Sequence, residues 1–139
     1  MRPGSCIAIT VGVLFAGLVA WHGCDLVLNY VPVTGMVTAS SALCYLQRGG
    51  QRLVDKTTHQ TIEVPCRIAE AAVQPGQPRA GYDVRATTTL IYRYRSPADG
   101  AWHSGQAVRD GPPGRWPKQG ASIRIYAHKK AADTSKFVS

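Results

Sequence analysis

The sequence predicts a mainly β fold, with an N-terminal transmembrane helix followed by a small antiparallel β-barrel or sandwich of about five strands. Three observations lead there. Ser5 to Leu28 is an apolar run carrying no charge from Cys6 to Trp21. Beyond Gly35 the apolar spacing changes to a period of two, the spacing of a strand with one buried face. Short stretches rich in Pro, Gly and Asp separate the alternating segments and supply turn chemistry.

The apolar run comes first. It spans roughly 23 residues, or ~34 Å at the helical rise, about one hydrocarbon thickness. A cleaved secretory signal has a shorter apolar region and a small-residue exit site, whereas this run continues through the bulky Trp21. A retained signal anchor is therefore expected over residues 1–30, with residues 31–34 as a linker containing Pro32. Arg2 is the only basic side chain before the run, and the next is Arg48. Basic residues flanking a span favour the cytoplasmic side. The expected location is thus the inner (cytoplasmic) membrane, single-pass, with the N-terminus in and the domain outside.

Residues 35–128 read as one antiparallel β domain, and 129–139 as a polar tail. Gly35 to Leu46 alternates small or polar with apolar residues and predicts the first strand. Gln47 to Thr61, with Gly49-Gly50, reads as a hairpin tip or loop. Ile62 to Val73 predicts a second strand with Pro65 pushing its start to an edge or bulge, although the Ala-rich stretch from Ile68 to Val73 also suits a helical turn. Gln74 to Gly81 is loop. In the clearest strand, Val84, Ala86, Thr88, Leu90, Tyr92 and Tyr94 share one face, while Arg85, Thr87, Thr89, Ile91, Arg93 and Arg95 share the other. Ser96 to Gly100 makes a short hairpin, and Ala101 to Val108 returns as its partner. Asp110 to Gln119 is a Pro/Gly loop that displays Trp116. Ile123, Ile125 and Ala127 face inward in the last strand, with Arg124 outward.

Gly35-Met36-Val37, Tyr92 to Gly100, and Gly120 to Lys130 carry a resemblance. The pattern is a Gly-x-Val opening strand, a Tyr strand turning through an Asp-Gly hairpin, and a Gly-introduced closing strand that ends near Tyr126. It resembles a family of bacterial membrane-anchored small β domains of unknown function, over roughly Gly35 to Lys136. The resemblance implies an anchored β domain in the bacterial envelope and brings no catalytic residues with it.

Four cysteines stand at 6, 24, 44 and 66, without the close spacing of a metal knuckle. Cys6 and Cys24 fall within the anchor and read as buried thiols. Cys44 and Cys66 flank a polar loop in the first two predicted strands, which makes a cross-strand disulfide feasible in an oxidising compartment. No cofactor or metal is expected.

The chain has 16 Lys/Arg against 8 Asp/Glu, a net charge of +8. Most of the excess lies between Arg79 and Lys136. Arg85, Arg93, Arg95 and Arg124, with Tyr45, Tyr126 and Trp116, form the one constellation that suits an anionic polymer or partner surface. A solvated basic face explains the same residues without any ligand. His59, His103 and His128 are scattered, and His103 beside Ser104 lacks the orienting acid and strained elbow of a nucleophile. Asp99 and Asp110 read as turn residues.

The expectation is a non-enzymatic, single-pass membrane protein whose extracytoplasmic β domain is an interaction module, meeting an envelope protein or anionic polymer. The alternative is a cytoplasm-facing basic domain that binds nucleic acid or anionic lipid. A third reading, an envelope hydrolase using His103 or His128, needs those histidines gathered with an acid.

Overall fold

The computed structural model describes residues 26–138. One antiparallel sheet dominates. Its strands are β1 (Tyr30–Arg48), β2 (Gln51–Arg52), β3 (Asp83–Arg95), β4 (Trp102–Gly111), β5 (Ser122–His128) and β6 (Ser135–Lys136), and the helix α1 (Cys66–Ala72) lies between β2 and β3. The strand order is β4-β3-β1-β5-β6, and β2 pairs with the far end of β1. The sheet curls until it is nearly closed: the Arg109 guanidinium on β4 donates to the carbonyl of Phe137, just past β6. That reach leaves a barrel-like shell around an inner face.

β1 is long enough to serve both ends of the molecule. Its first part pairs with β5 from Tyr30↔His128 to Met36↔Ser122, while β3 runs alongside from Gly35↔Tyr94 to Gln47↔Asp83. The register shifts between Val37 and Ala39. An extra residue reverses the side-chain parity of everything beyond it. Val37 faces inward opposite Tyr92, and after the bulge Ser40, Ala42, Cys44 and Leu46 face inward opposite Leu90, Thr88, Ala86 and Val84. Without the shift, Leu43 and Tyr45 would take those places. Thr38 Oγ1 donates to the Ile91 carbonyl across the bulge at 3.1 Å.

The inner face holds two cores. Val37, Leu90, Tyr92, Tyr94, Ala107, Ile123, Ile125 and Ala127 make the larger one. Tyr92 lies against Gly105, its partner on β4, where a Cβ would stand 2.4 Å from the ring. Only glycine admits that approach. The smaller core, Cys44, Leu46, Ala69 and Ala86, lies under α1.

The clearest predicted strand is present as β3, and its inward and outward faces are the expected ones: Ala86, Thr88, Leu90, Tyr92 and Tyr94 are buried, while Ile91, Arg93 and Arg95 are exposed. Gly49 and Gly50 both take positive φ, 58° and 78°, as a two-residue type I′ hairpin requires.

Several expected boundaries differ. Residues 31–34, read as a linker, are paired β1 residues. Pro32 is tolerated because, by the alternation from Val37, its missing N–H faces the side where β3 has not yet begun. The second strand, expected from Ile62 to Val73, is mostly helix. Only Val64 bridges to β1, at Cys44, and α1 follows Pro65 at once. Ala69, Ala71 and Ala72 favour helix intrinsically, and Ala69 is the residue this short helix buries. Residues 129–139 are not a plain polar tail, because Ser135–Lys136 pair with β5 and Phe137 packs on the larger core. β4 also runs past the expected Val108 to Gly111.

The predicted anchor, Ser5 to Leu28, lies almost wholly outside the described residues. Among the described residues, no helix is long and apolar enough to cross a bilayer.

Candidate interaction surface

Pairing across the sheet decides which of the sequence-predicted residues meet. On the outer face Arg93 stands between Met36 on β1 and Ser104 on β4, and Met36 is itself paired with Ser122 on β5. One rung along, Arg95 pairs with Trp102, and Thr34 of β1 pairs with Arg124. Arg93, Arg95 and Arg124 therefore occupy two neighbouring rungs. Two strand spacings, about 10 Å, separate β3 from β5.

Two large apolar side chains sit among these arginines. Trp102 is 60% exposed and Met36 54% exposed. The Arg93 guanidinium lies over the Trp102 ring at 5.5 Å, a cation–π contact. Met36, Thr38, Arg93 and Trp102 line a shallow recess of about 240 Å³. Arg95 is held by its Nε–H, which donates to the Gly100 carbonyl at 2.7 Å, so the hairpin braces it. The surface is cationic, aromatic and open.

The other members of the predicted set lie elsewhere. Arg85 is on the same face but eight residues back along β3, roughly 26 Å at the strand rise. There it is half-buried beside the Tyr45 hydroxyl. Tyr45, only 1% exposed although it points outward, donates its hydroxyl hydrogen to the Asp110 carboxylate, whose two oxygens lie 2.8 and 2.7 Å away. Arg52 covers the Tyr45 ring at 4.3 Å and donates to Asp110 at 2.9 Å. Burial pushes the Tyr45 hydroxyl above its ordinary pKa, and the Asp110 carboxylate adds to the shift. Arg85 thus belongs to a structural latch.

Trp116 is corrected more sharply. The Pro/Gly loop turns it inward, where it packs on the larger core edge-on to Phe137 at 6.3 Å. Displaying an indole on a loop leaves its apolar area wet; the open inner face offers a place to bury it. Tyr126 is half-buried on β5, paired with Pro32 and Lys136.

Cys44 and Cys66 are joined by a disulfide, with Cα atoms 4.7 Å apart. It ties the first residue of α1 to β1 and so closes the smaller core.

Among the described residues, His59, His103 and His128 do not gather. His103 faces inward beside Tyr94, and its Nε2 lies 2.7 Å from Asp99 Oδ2. Ser104, the next residue, points to the opposite face. Asp99 is held below the usual carboxylate range, chiefly by the Ala101 N–H and then by His103. His128 Nδ1 accepts from the Lys130 and Ala131 N–H groups, and His59 closes the turn begun by Asp55. The hydrolase reading needed these side chains in one cleft.

Sequence reasoning missed Trp102 and Met36 as members of the arginine surface. Their signal was parity: Trp102, Ser104 and Gln106 alternate outward once Ser96 to Gly100 is read as the hairpin.

In comparisons with known proteins, no family model, curated protein or solved structure matches the chain. Function must be argued from these residues.

Proposed function

We propose that the β domain is a non-catalytic interaction module, held at the inner membrane by the apolar N-terminal run and facing the extracytoplasmic side. Its binding face is the outer rung pair of Arg93, Arg95 and Arg124 with Trp102 and Met36, and its ligand is an anionic polymer, headgroup or acidic protein face of the cell envelope. The observation that carries this reading is the placement of three arginines on two neighbouring rungs of the outer face, with the Arg93 guanidinium over the exposed Trp102 indole. Guanidinium forks match phosphate and carboxylate, and an aromatic plane adds contact area at little entropic cost. The Cys44–Cys66 bond supports the orientation, since stable disulfides belong to oxidising compartments. The sequence resemblance to the membrane-anchored small β domains agrees with it.

Two measurements test the proposal. An alkaline phosphatase reporter fused after Ser139 should be active, as export requires. An inactive but expressed fusion overturns the orientation and favours a cytoplasm-facing domain. The detergent-solubilised full chain should bind inorganic polyphosphate with an affinity that falls with salt. Arg93→Glu/Arg95→Glu should weaken it by at least about tenfold, and unchanged binding overturns the assignment of the face.

A further inference from the structure

On the side of β1 away from β3, the ladder is interrupted. Val37 exchanges two backbone hydrogen bonds with the 120–121 turn, its N–H to the Ala121 carbonyl at 2.9 Å and the Gly120 N–H to its own carbonyl at 2.8 Å. Cys44 exchanges two with Val64, at 2.8 and 2.9 Å. Between them, among the described residues, no segment pairs with β1 on that side. The gap spans residues 38–43, about 20 Å of strand.

The gap has a defined backbone chemistry. Antiparallel residues alternate between pairs that exchange hydrogen bonds and pairs that do not. Cys44 directs both its groups to Val64, so Cys44↔Ala86 is a pair of the second kind, and the unbroken register makes Ala42↔Thr88 and Ser40↔Leu90 the same. The N–H and C=O of Ala42 and Ser40 therefore point into the gap. That is one alternating set of two donors and two acceptors.

Beside this edge the two cores leave the inner face open. Ser40, Ala42 and Thr88 floor a cavity of about 330 Å³, walled by Trp116, Lys118 and Gln119. Ala42 points inward and is nonetheless exposed. The small floor leaves room for side chains arriving from a new strand, and Lys118 places a positive charge at the wall with no carboxylate lining it.

We propose that β1 captures an extended acidic peptide segment of a partner protein in this gap, by strand addition. Backbone pairing supplies affinity, an apolar side chain enters the cavity over Ser40 and Ala42, and a carboxylate meets Lys118. The 120–121 turn and Val64 stop the gap at both ends, so it admits a single extended chain and excludes the sheet edge of a second folded copy. This site is independent of the arginine face on the outer side.

The test uses the full chain in detergent and an acetylated, amidated hexapeptide with threonine at its odd positions and valine, glutamate and valine at its even ones, so that valine and glutamate share the face turned to the cavity. Binding should slow hydrogen exchange at the Ser40 and Ala42 amides by at least about tenfold, each new backbone bond adding protection. The same peptide N-methylated on alternate residues, or with lysine for glutamate, should bind at least about tenfold more weakly. Lys118→Glu should reverse the preference between the glutamate and lysine peptides while leaving polyphosphate binding within about twofold. Arg93→Glu/Arg95→Glu should do the opposite. The proposal is overturned if the Ser40 and Ala42 amides are already as protected in the free chain as those of Val37 and Cys44. It is equally overturned if no peptide binds at millimolar concentration, or if N-methylation and Lys118→Glu leave binding unchanged.

Discussion

The two halves of the sheet are stabilised differently. Around Val37, Leu90 and Ile125 the core is built from large side chains with essentially no exposure, and Tyr92 and Tyr94 add a second use. Their hydroxyls cross to the returning chain, Tyr92 to Ser135 Oγ at 2.9 Å and Tyr94 to the Ala132 carbonyl at 3.0 Å. Around Cys44 the buried residues are small, Cys44, Ala69 and Ala86 with Leu46, and a seven-residue helix covers them. Apolar area drives burial, so the second half gains less from it and is closed by a covalent bond instead. The same fold thus contains a half held by packing and a half held by a crosslink, with an open edge of β1 between them.

The largest effect should come from the packed half. Leu90→Ala should cost about 2–5 kcal/mol by removing buried area and leaving a cavity, and chemical denaturation should show a lower midpoint for the whole domain. If the loss is confined to the β5 end, the halves are less coupled than the continuous β1 and β3 imply.

Next comes the crosslink. Cys44→Ala/Cys66→Ala opens a loop of 22 residues, worth ~3 kcal/mol by the chain entropy it restores to the unfolded state. Hydrogen exchange should show α1 and Val64 losing protection first, while β3 keeps its own. Equal loss in both halves would remove the distinction.

The tyrosines give a pH signature. Burial raises the pKa of Tyr94, and burial with Asp110 raises that of Tyr45. A group whose folded pKa is raised contributes stability that is present below its unfolded pKa, about 10 for tyrosine, and lost as pH rises through the folded value. Stability should therefore fall on the alkaline side, and absorbance should show two tyrosines ionising late. Tyr45→Phe should remove one late step and Tyr94→Phe the other, which assigns them to the two halves.

The smallest effect belongs to the hairpin at the packed end. Asp99 is depressed, so its contribution is present above about 3.9, the unfolded carboxylate value, and is lost as pH falls through the folded value. Asp99→Asn should flatten the acid limb of a thermal-stability profile slightly. An unchanged limb would leave the Ala101 N–H without a role in it.

Much of this was readable along the chain where structure is local. The alternation from Val84 to Tyr94 implied a strand and its faces, because period-two patterning is enforced by burial of one side. Ser96 to Gly100 carried hairpin chemistry, and Cys44 with Cys66 flanked a loop short enough to close. The arginine surface was half legible: Arg93, Arg95 and Arg124 could be placed outward by parity, but Arg85 shares that parity and still joins a different cluster.

What the sequence by itself determined was the set of alternating stretches, the turns between them and the identity of the cysteines that would pair. Tertiary structure decided the bulge after Val37, which turns Cys44 and Leu46 inward and Tyr45 out toward Asp110 and Arg52. It decided that the stretch from Cys66 to Ala72 is a helix, that Trp116 packs inward against the larger core, and that Ser135–Lys136 adds a strand. Each of these depends on a partner distant in sequence, and local propensity is too weak to settle a choice that hydrogen bonding and burial against that partner make.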